Sequence, residues 1–180
     1  RTASLRTSGR HFPEDSPLWG WKEPNSHLFL PHLERYFEAR LRYVHVIRHG
    51  LSMAHSANQN QLRRWGPRFG ITPRPGAPDP CAALDYWIAT NEQAIARGKA
   101  MPEGTFLLVN YDDLCAAPRQ TVERLAEFLD LDPQPSVLDE VIGIPWAPVS
   151  PPSFGDPLGE FGEERVARVQ GLGFGVDGSG

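Results

Sequence analysis

Two short apolar runs that alternate with amphipathic segments constrain the fold of this chain most strongly. The run RYVHVIR (42–48) alternates in polarity and is rich in β-branched and aromatic residues, whereas TFLLVNY (105–111) is almost continuously apolar. The first pattern predicts a β-strand and the second a buried parallel strand. Helical spacing of apolar residues predicts helices over 28–39, 51–65, 81–100 and 118–131. This order of elements predicts an α/β layer with parallel strands and right-handed crossovers.

The length of 180 residues suits one domain. We expect a single domain over residues 1–180, with an irregular lead-in (1–18), a core (19–131) and a loop-rich C-terminal segment (132–180). A terminal helix is predicted near 160–170. Two strands are few for a complete sheet of this class.

The charge and composition exclude several classes of protein. With a net charge of −4, the chain is not expected to bind nucleic acid or an anionic membrane through a general positive field. No window of about 18 residues is apolar enough for a transmembrane helix. The two cysteines, Cys81 and Cys115, follow no metal-ligand spacing, so we expect no metal site. The low cysteine content and a polar start that is not a signal peptide favour a cytoplasmic protein.

The first predicted strand runs directly into Arg48-His49-Gly50. This order resembles the signature of histidine phosphatases, in which His49 would accept the phosphoryl group and Arg48 would clamp the phosphate. Such an enzyme also needs a second histidine late in the chain. All six histidines lie at or before position 55, so the histidine phosphatase is the least favoured hypothesis.

Three separated blocks carry a more specific resemblance. They read WGWKEPNSHLFLPHLERYFEARLRYVHVIRHG (19–50), RHGLSMAHS (48–56) and FLLVNYDDLCAAPRQTVERLAEFLDL (106–131). In this order and spacing they resemble the sulfotransferases that use 3′-phosphoadenosine 5′-phosphosulfate (PAPS). They are more similar to bacterial members of this superfamily than to the cytosolic detoxifying ones. The resemblance implies transfer of a sulfuryl group to a hydroxyl or amine. It also implies a three-layer α/β fold of the P-loop NTPase type with a parallel sheet.

The resemblance assigns the PAPS-binding roles residue by residue. Arg48 and Ser56 would hold the 3′-phosphate, and Lys22 would approach the phosphosulfate bridge and stabilise the leaving phosphate. A guanidinium offers a phosphate two parallel charge-assisted hydrogen bonds. We expect Ser56 near the beginning of the following helix, whose positive end favours an anion. The alternatives are a surface ion pair for Arg48 and solvated side chains for Ser56 and Lys22. In the sulfotransferase interpretation, His49 has no part in binding the phosphate.

A sulfotransferase also needs a general base that removes the proton of the acceptor. Cytosolic members carry a histidine two residues after the lysine, a position that Pro24 occupies here. Members that modify glycosaminoglycans use a glutamate instead. Glu23 is therefore the first candidate and His27 the second, and the alternative for Glu23 is an ion pair with a nearby arginine.

The acceptor is expected to be a small molecule or a carbohydrate. Variable loops set acceptor specificity in this family, and here they correspond to 66–80 and 145–160. Tyr86 and Trp87 could flank the adenine or the acceptor, but their helical spacing favours core packing. Residues 111–113 are expected to form a turn and a helix cap.

Two features of the family are missing from the sequence. The glycine-rich phosphosulfate loop is not found, since RTSGR (6–10) is only superficially similar and follows no apolar strand. The late basic segment that closes over the 3′-phosphate is also missing, because residues 150–164 contain no arginine. We therefore expect residue 1 to lie inside a larger protein, downstream of the first strand and its loop. The competing hypothesis is a non-catalytic nucleotide-binding or interaction module with the same fold.

Overall fold

The computed structural model describes residues 20–145 and 154–176. The described chain contains two β-strands, β1 (Tyr43–Ile47) and β2 (Phe106–Asn110). Short 3-10 turns cover Ser26–Phe29, Glu38–Arg40 and Gly66–Phe69. The α-helices are α1 (Leu30–Phe37), α2 (Gly50–Ala54), α3 (Asn60–Trp65), α4 (Pro80–Lys99), α5 (Tyr111–Ala116), α6 (Pro118–Phe128), α7 (Pro135–Ile142), α8 (Pro157–Phe161) and α9 (Glu163–Gly171). Residues 1–18, including RTSGR, and part of the predicted 145–160 loop lie outside the described residues.

The two strands pair in parallel and confirm the predicted α/β class. Tyr43 lies opposite Phe106 and Ile47 lies opposite Asn110, so both strands end at the same edge of the sheet. The crossover between them contains α4, the long helix that the sequence predicts over 81–100. The register fixes the geometry of the site, because the residues that follow Ile47 and Asn110 become neighbours.

Helix α4 forms the centre of the hydrophobic core. It begins at Pro80, whose missing N–H costs nothing in a first turn, and the Asp79 side chain caps it by accepting a hydrogen bond from the Ala82 amide at 3.2 Å. Leu84 and Ile88 are fully buried along its length. The helix thereby supports both the sheet and the elements that follow β1.

The close packing of α2 against α4 explains one residue of the Arg-His-Gly sequence. Gly50 is the first residue of α2 and faces the Trp87 ring of α4. A Cβ atom at position 50 would lie only 2.7 Å from Cε3 and Cζ3 of Trp87, closer than atoms of a packed core approach one another. Glycine is therefore required here for packing, independently of any chemistry at His49.

The C-terminal helix α9 packs against α4, and α8 packs against α9. Phe161 and Val169 are buried in the common core. Arg165 makes two hydrogen bonds to the Asp85 carboxylate, at 2.6 and 2.8 Å. Arg168 pairs with Glu92 in the same two-point geometry. The terminal helix predicted near 160–170 is confirmed by α9.

The single helix predicted over 51–65 is wrong, because the chain forms two short helices there. Helix α2 ends at Ala54 and α3 begins at Asn60. The Gln59 side-chain amide donates to the carbonyls of Met53, Ala54 and Ser56 at 3.0, 3.2 and 2.8 Å. These contacts satisfy carbonyls that a continuous helix would satisfy with backbone N–H groups. Ser56 therefore lies beyond the end of α2 and not near the beginning of a helix.

Candidate functional site at the carboxyl edge of the sheet

The candidate site lies where β1 and β2 end side by side. Arg48 follows β1 and Tyr111 follows β2, directly after the paired residues Ile47 and Asn110. The Arg48 guanidinium lies over the Tyr111 ring, 5.8 Å from its centroid. Ligands of open parallel sheets bind at this edge. The register of the sheet thus places a cation at the expected position of a ligand.

The Arg48 side chain is exposed and keeps its hydrogen-bond donors available. Within 20–145 and 154–176, its guanidinium makes no ion pair or hydrogen bond, and stacking on Tyr111 is its one recorded contact. Stacking on a ring uses the face of the guanidinium and leaves the N–H groups at its edge free. The surface ion pair considered as an alternative is not found among the described residues.

The turn after Arg48 is held by the end of the other strand. The Asp112 carboxylate accepts a hydrogen bond from the His49 amide at 3.1 Å. The Asn110 side chain accepts from the Asp112 amide at 2.9 Å and caps α5. The predicted turn and cap at 111–113 need correction, since these residues form the first turn of α5 and Asn110 is the cap. Asp112 thereby fixes the peptide that joins Arg48 to His49.

His49 has a structural role that the sequence did not reveal. Its Nδ1 accepts a hydrogen bond from the Leu51 amide at 3.2 Å and caps α2. Nε2–H donates to the Gly175 carbonyl at 2.7 Å, and the ring contacts Phe154 and Phe174. Because an amide only donates and a carbonyl only accepts, His49 is the neutral Nε2–H tautomer.

Both nitrogens of His49 are therefore occupied in this structure. A phosphoryl acceptor needs one nitrogen whose lone pair faces the ligand. The Nδ1 lone pair of His49 faces the Leu51 amide, and Nε2 carries the proton. This geometry disfavours the histidine phosphatase hypothesis, and His49 is a capping residue that joins α2 to the C-terminal segment.

Ser56 lies in the loop between α2 and α3. Its hydroxyl accepts a hydrogen bond from the Asn58 amide at 3.3 Å, and its own amide donates to the Met53 carbonyl at 3.2 Å. Among the described residues, no hydrogen bond joins Ser56 to Arg48. The hydroxyl retains its proton for donation to a further acceptor. Helix α2 has only five residues, so its dipole adds little at this position.

Lys22 and Glu23 precede the first 3-10 turn. Lys22 is exposed and makes no ion pair within the described part of the chain. The Glu23 carboxylate is used locally: its Oε1 accepts from the amide and the side-chain Nδ2 of Asn25, at 3.1 and 2.6 Å. The alternative ion pair between Glu23 and an arginine is not found in 20–145 and 154–176. Oε2 of Glu23 is not used by Asn25.

His27 is half-buried, and its ring lies edge-on to that of His45 in β1, with the centroids 6.3 Å apart. Its Nδ1–H donates to the Pro24 carbonyl at 3.1 Å, and its buried Nε2 has no partner among the described residues. Burial and, secondarily, repulsion from His45 lower the pKa of His27 to about 4. The imidazole is therefore neutral at physiological pH, with an unused but buried acceptor.

His45 lies in the middle of a hydrogen-bonded chain. The Tyr43 hydroxyl donates to its Nδ1 and its Nε2–H donates to Asn91 Oδ1, both at 2.9 Å. The Asn91 amide in turn donates to the Trp87 carbonyl at 2.7 Å. Burial lowers the pKa of His45 and raises the pKa of Tyr43 to about 12. This satisfied network joins β1 to α4 in a fixed, uncharged state.

Three further observations concern the described part of the chain. Tyr86 and Trp87 are buried, in agreement with core packing. Within 20–145 and 154–176, no group of three or more histidine, cysteine, aspartate or glutamate side chains could hold a metal ion. No helix in the same ranges is long and apolar enough to cross a membrane.

The family of the chain follows from its sequence. A sequence model of the sulfotransferase family matches residues 2–135, more than half of the chain. The chain belongs to this family. No curated protein and no solved structure matches it. The matched region contains Lys22, Glu23, Arg48 and Ser56, and the parallel pairing of β1 and β2 agrees with the α/β sulfotransferase fold that the sequence predicts.

Proposed function

We propose that this sulfotransferase moves a sulfuryl group from PAPS to a hydroxyl or amine of a small-molecule or carbohydrate acceptor. Family membership supports sulfuryl transfer as the type of reaction. The observation that carries the PAPS proposal is Arg48, an exposed guanidinium at the carboxyl end of β1 with no ion pair among the described residues. A guanidinium at this edge of the sheet can donate two parallel hydrogen bonds, which suits the phosphate of a nucleotide.

In the proposed site, Arg48 and Ser56 bind the 3′-phosphate. The guanidinium supplies parallel charge-assisted hydrogen bonds, and the Ser56 hydroxyl donates its proton while it continues to accept from Asn58. The Tyr111 ring supports the Arg48 side chain, and Asp112 holds the backbone that follows it, before the ligand arrives. Preorganisation of this kind reduces the entropy that binding would otherwise cost.

The proposed chemistry is an in-line displacement at sulfur. The acceptor oxygen or nitrogen forms a bond to sulfur while the bond from sulfur to the bridging phosphate oxygen breaks, and the electron pair stays on that phosphate oxygen. Lys22 stabilises the growing negative charge on the leaving phosphate. The proton of the acceptor passes to Glu23, which accepts it on the oxygen that Asn25 does not use.

Glu23 is a better proposed base than His27 in this structure. The Glu23 side chain is exposed, whereas the free nitrogen of His27 is buried. A base must come within hydrogen-bond reach of the proton that it removes. Replacing Lys22 by alanine or Glu23 by glutamine in the intact enzyme should reduce turnover strongly. Unchanged turnover in either variant would remove that residue from the mechanism.

The PAPS proposal is tested by calorimetric titration of the full-length protein with 3′-phosphoadenosine 5′-phosphate. Replacing Arg48 by alanine should cost about 2–3 kcal/mol, which corresponds to an affinity loss of about 30- to 150-fold. Replacing Arg40, another exposed arginine without an ion pair among the described residues, is the matched control and should leave the affinity unchanged. No binding by the wild type, or equal affinity in Arg48→Ala, would refute the proposal.

Binding and sulfuryl-transfer assays on the same full-length protein distinguish an enzyme from a non-catalytic module. Nucleotide binding together with sulfuryl transfer supports the enzyme, whereas binding without transfer to any offered acceptor supports the module. We also propose that the protein is cytoplasmic and binds neither nucleic acid nor membranes. The free thiols of Cys81 and Cys115 support a reducing compartment.

A further inference from the structure

Helix α2 is too short to fix by itself the distance between the two residues proposed for the 3′-phosphate. Arg48 lies two residues before its first residue, Gly50, and Ser56 lies two residues after its last residue, Ala54. A helix of this length is not stable in isolation, since about 12–15 residues are needed even for marginal stability in water. Tertiary contacts at the two ends of α2 must therefore hold Arg48 and Ser56 in place.

A histidine adjoins each of these two residues, and both histidines contact residues 154–176, which we call the C-terminal brace. The first histidine, His49, follows Arg48 directly. Its Nε2–H donates to the Gly175 carbonyl at 2.7 Å, and its ring lies 5.2 Å from that of Phe174, centroid to centroid. The beginning of α2 is thereby tied to the C-terminal brace through the residue next to Arg48.

The second histidine, His55, is the residue directly before Ser56, and it contacts helix α8 of the C-terminal brace. Its Nε2 lies 3.3 Å from Oε2 of Glu160, and its ring lies edge-on to that of Phe161, with the centroids 5.7 Å apart. An imidazole N–H can donate to a carboxylate whether or not the ring carries a second proton. The end of α2 is thus tied to the C-terminal brace through the residue next to Ser56.

The C-terminal brace is itself fixed to α4, the helix that supports the sheet. Arg165 and Arg168 each make two hydrogen bonds to a carboxylate of α4, those of Asp85 and Glu92. The sulfotransferase family model matches residues 2–135, so the C-terminal brace lies beyond the matched region. Both ends of α2 are therefore connected to the core through residues that the family model does not include.

We infer that the C-terminal brace positions the 3′-phosphate site, and that His55 and Glu160 are positioning residues that act through Ser56. This inference rests on the proposed binding of the 3′-phosphate by Arg48 and Ser56. The contact between His55 and Glu160 holds the backbone on which the Ser56 hydroxyl is carried. A donor that is held in place before binding loses less entropy when the phosphate arrives. The contact should therefore contribute to recognition of the 3′-phosphate and not to binding of the rest of the nucleotide.

The inference is tested by calorimetric titration of the full-length protein with 3′-phosphoadenosine 5′-phosphate and with adenosine 5′-monophosphate, which lacks the 3′-phosphate. The ratio of the two dissociation constants measures the preference for the 3′-phosphate. The side chains of His55 and Glu160 are 45% and 38% exposed, so their contact is weakened by solvent. His55→Ala and Glu160→Ala should each reduce the preference about three- to fivefold. The double variant should lose no more than either single variant, because both substitutions remove the same contact.

Two further variants separate positioning from a general effect of substitution. His55→Gln should retain most of the wild-type preference, because a glutamine amide can donate to Glu160 in place of Nε2. His32→Ala is the matched control and should leave the preference unchanged, since His32 is exposed and forms no ion pair within 20–145 and 154–176. All variants should keep the wild-type affinity for adenosine 5′-monophosphate, and thermal unfolding should show that they are folded.

Several results would overturn the inference and leave the PAPS proposal standing. They are a wild-type preference in both alanine variants, losses that add up in the double variant, or the same loss in His32→Ala. Weaker binding of both nucleotides by the same factor would also overturn it, because the contact would then act on the whole fold. If the wild type does not prefer the bisphosphate at all, the PAPS proposal fails and the inference falls with it.

Discussion

Replacing Gly50 by alanine should destabilise the protein by about 2 kcal/mol, because the site has no room for one additional carbon atom. The new Cβ would lie 2.7 Å from two atoms and 3.0 Å from a third atom of the Trp87 ring. Trp87 cannot move aside easily, since its ring is buried against Phe174 and the core. Forcing a methyl group into a packed core costs about 1–3 kcal/mol.

The measurement is unfolding of Gly50→Ala and of a control variant in guanidinium chloride, monitored by far-UV circular dichroism. Gly171 is the control because it also lies in a helix but has open space around its Cβ position. Gly171→Ala should be neutral or stabilise the fold by about 0.5 kcal/mol. If Gly50→Ala is as stable as Gly171→Ala, the packing explanation of the glycine in Arg-His-Gly is wrong.

Two further predictions concern the histidines. His49→Ala should lower the free energy of unfolding by roughly 2 kcal/mol, because it removes both the cap on the Leu51 amide and the hydrogen bond to Gly175. His49→Asn should lose only about half as much, because asparagine can keep the cap. An equal loss of stability in the two variants would contradict these roles. For His27, the folded pKa of about 4 lies below the ordinary 6.5, so stability should fall as the pH drops between these values, by up to about 1.4 kcal/mol per unit. Urea unfolding should show a shallower fall in His27→Gln, and parallel curves would refute the assignment.

The elements that the sequence predicted correctly are those with strong local patterns. The strand over 43–47 combines β-branched residues with alternation, and α4 combines a proline start with a long apolar stripe. Arg48 could be placed because a strand end fixes the position of the next residue. These features depend on the local sequence, so they can be predicted from one amino-acid sequence alone.

The features that the sequence did not predict depend on distant or side-chain contacts. The break between α2 and α3 contains neither glycine nor proline, and it is stabilised by the Gln59 side chain. The role of His49 depends on Gly175, which is 126 residues away in the chain. No local pattern encodes such a contact. A histidine before a glycine at a strand end was therefore interpretable only after the fold was known.

The central claim is that Arg48 binds the 3′-phosphate of PAPS, and the most direct test compares two nucleotides that differ in that group. Calorimetry of the full-length protein with 3′-phosphoadenosine 5′-phosphate and with adenosine 5′-monophosphate measures the contribution of the 3′-phosphate. The wild type should prefer the bisphosphate by about 30- to 150-fold, and Arg48→Ala should lose most of this preference. Equal affinity of the wild type for the two nucleotides, or a preference that survives in Arg48→Ala, would contradict the account.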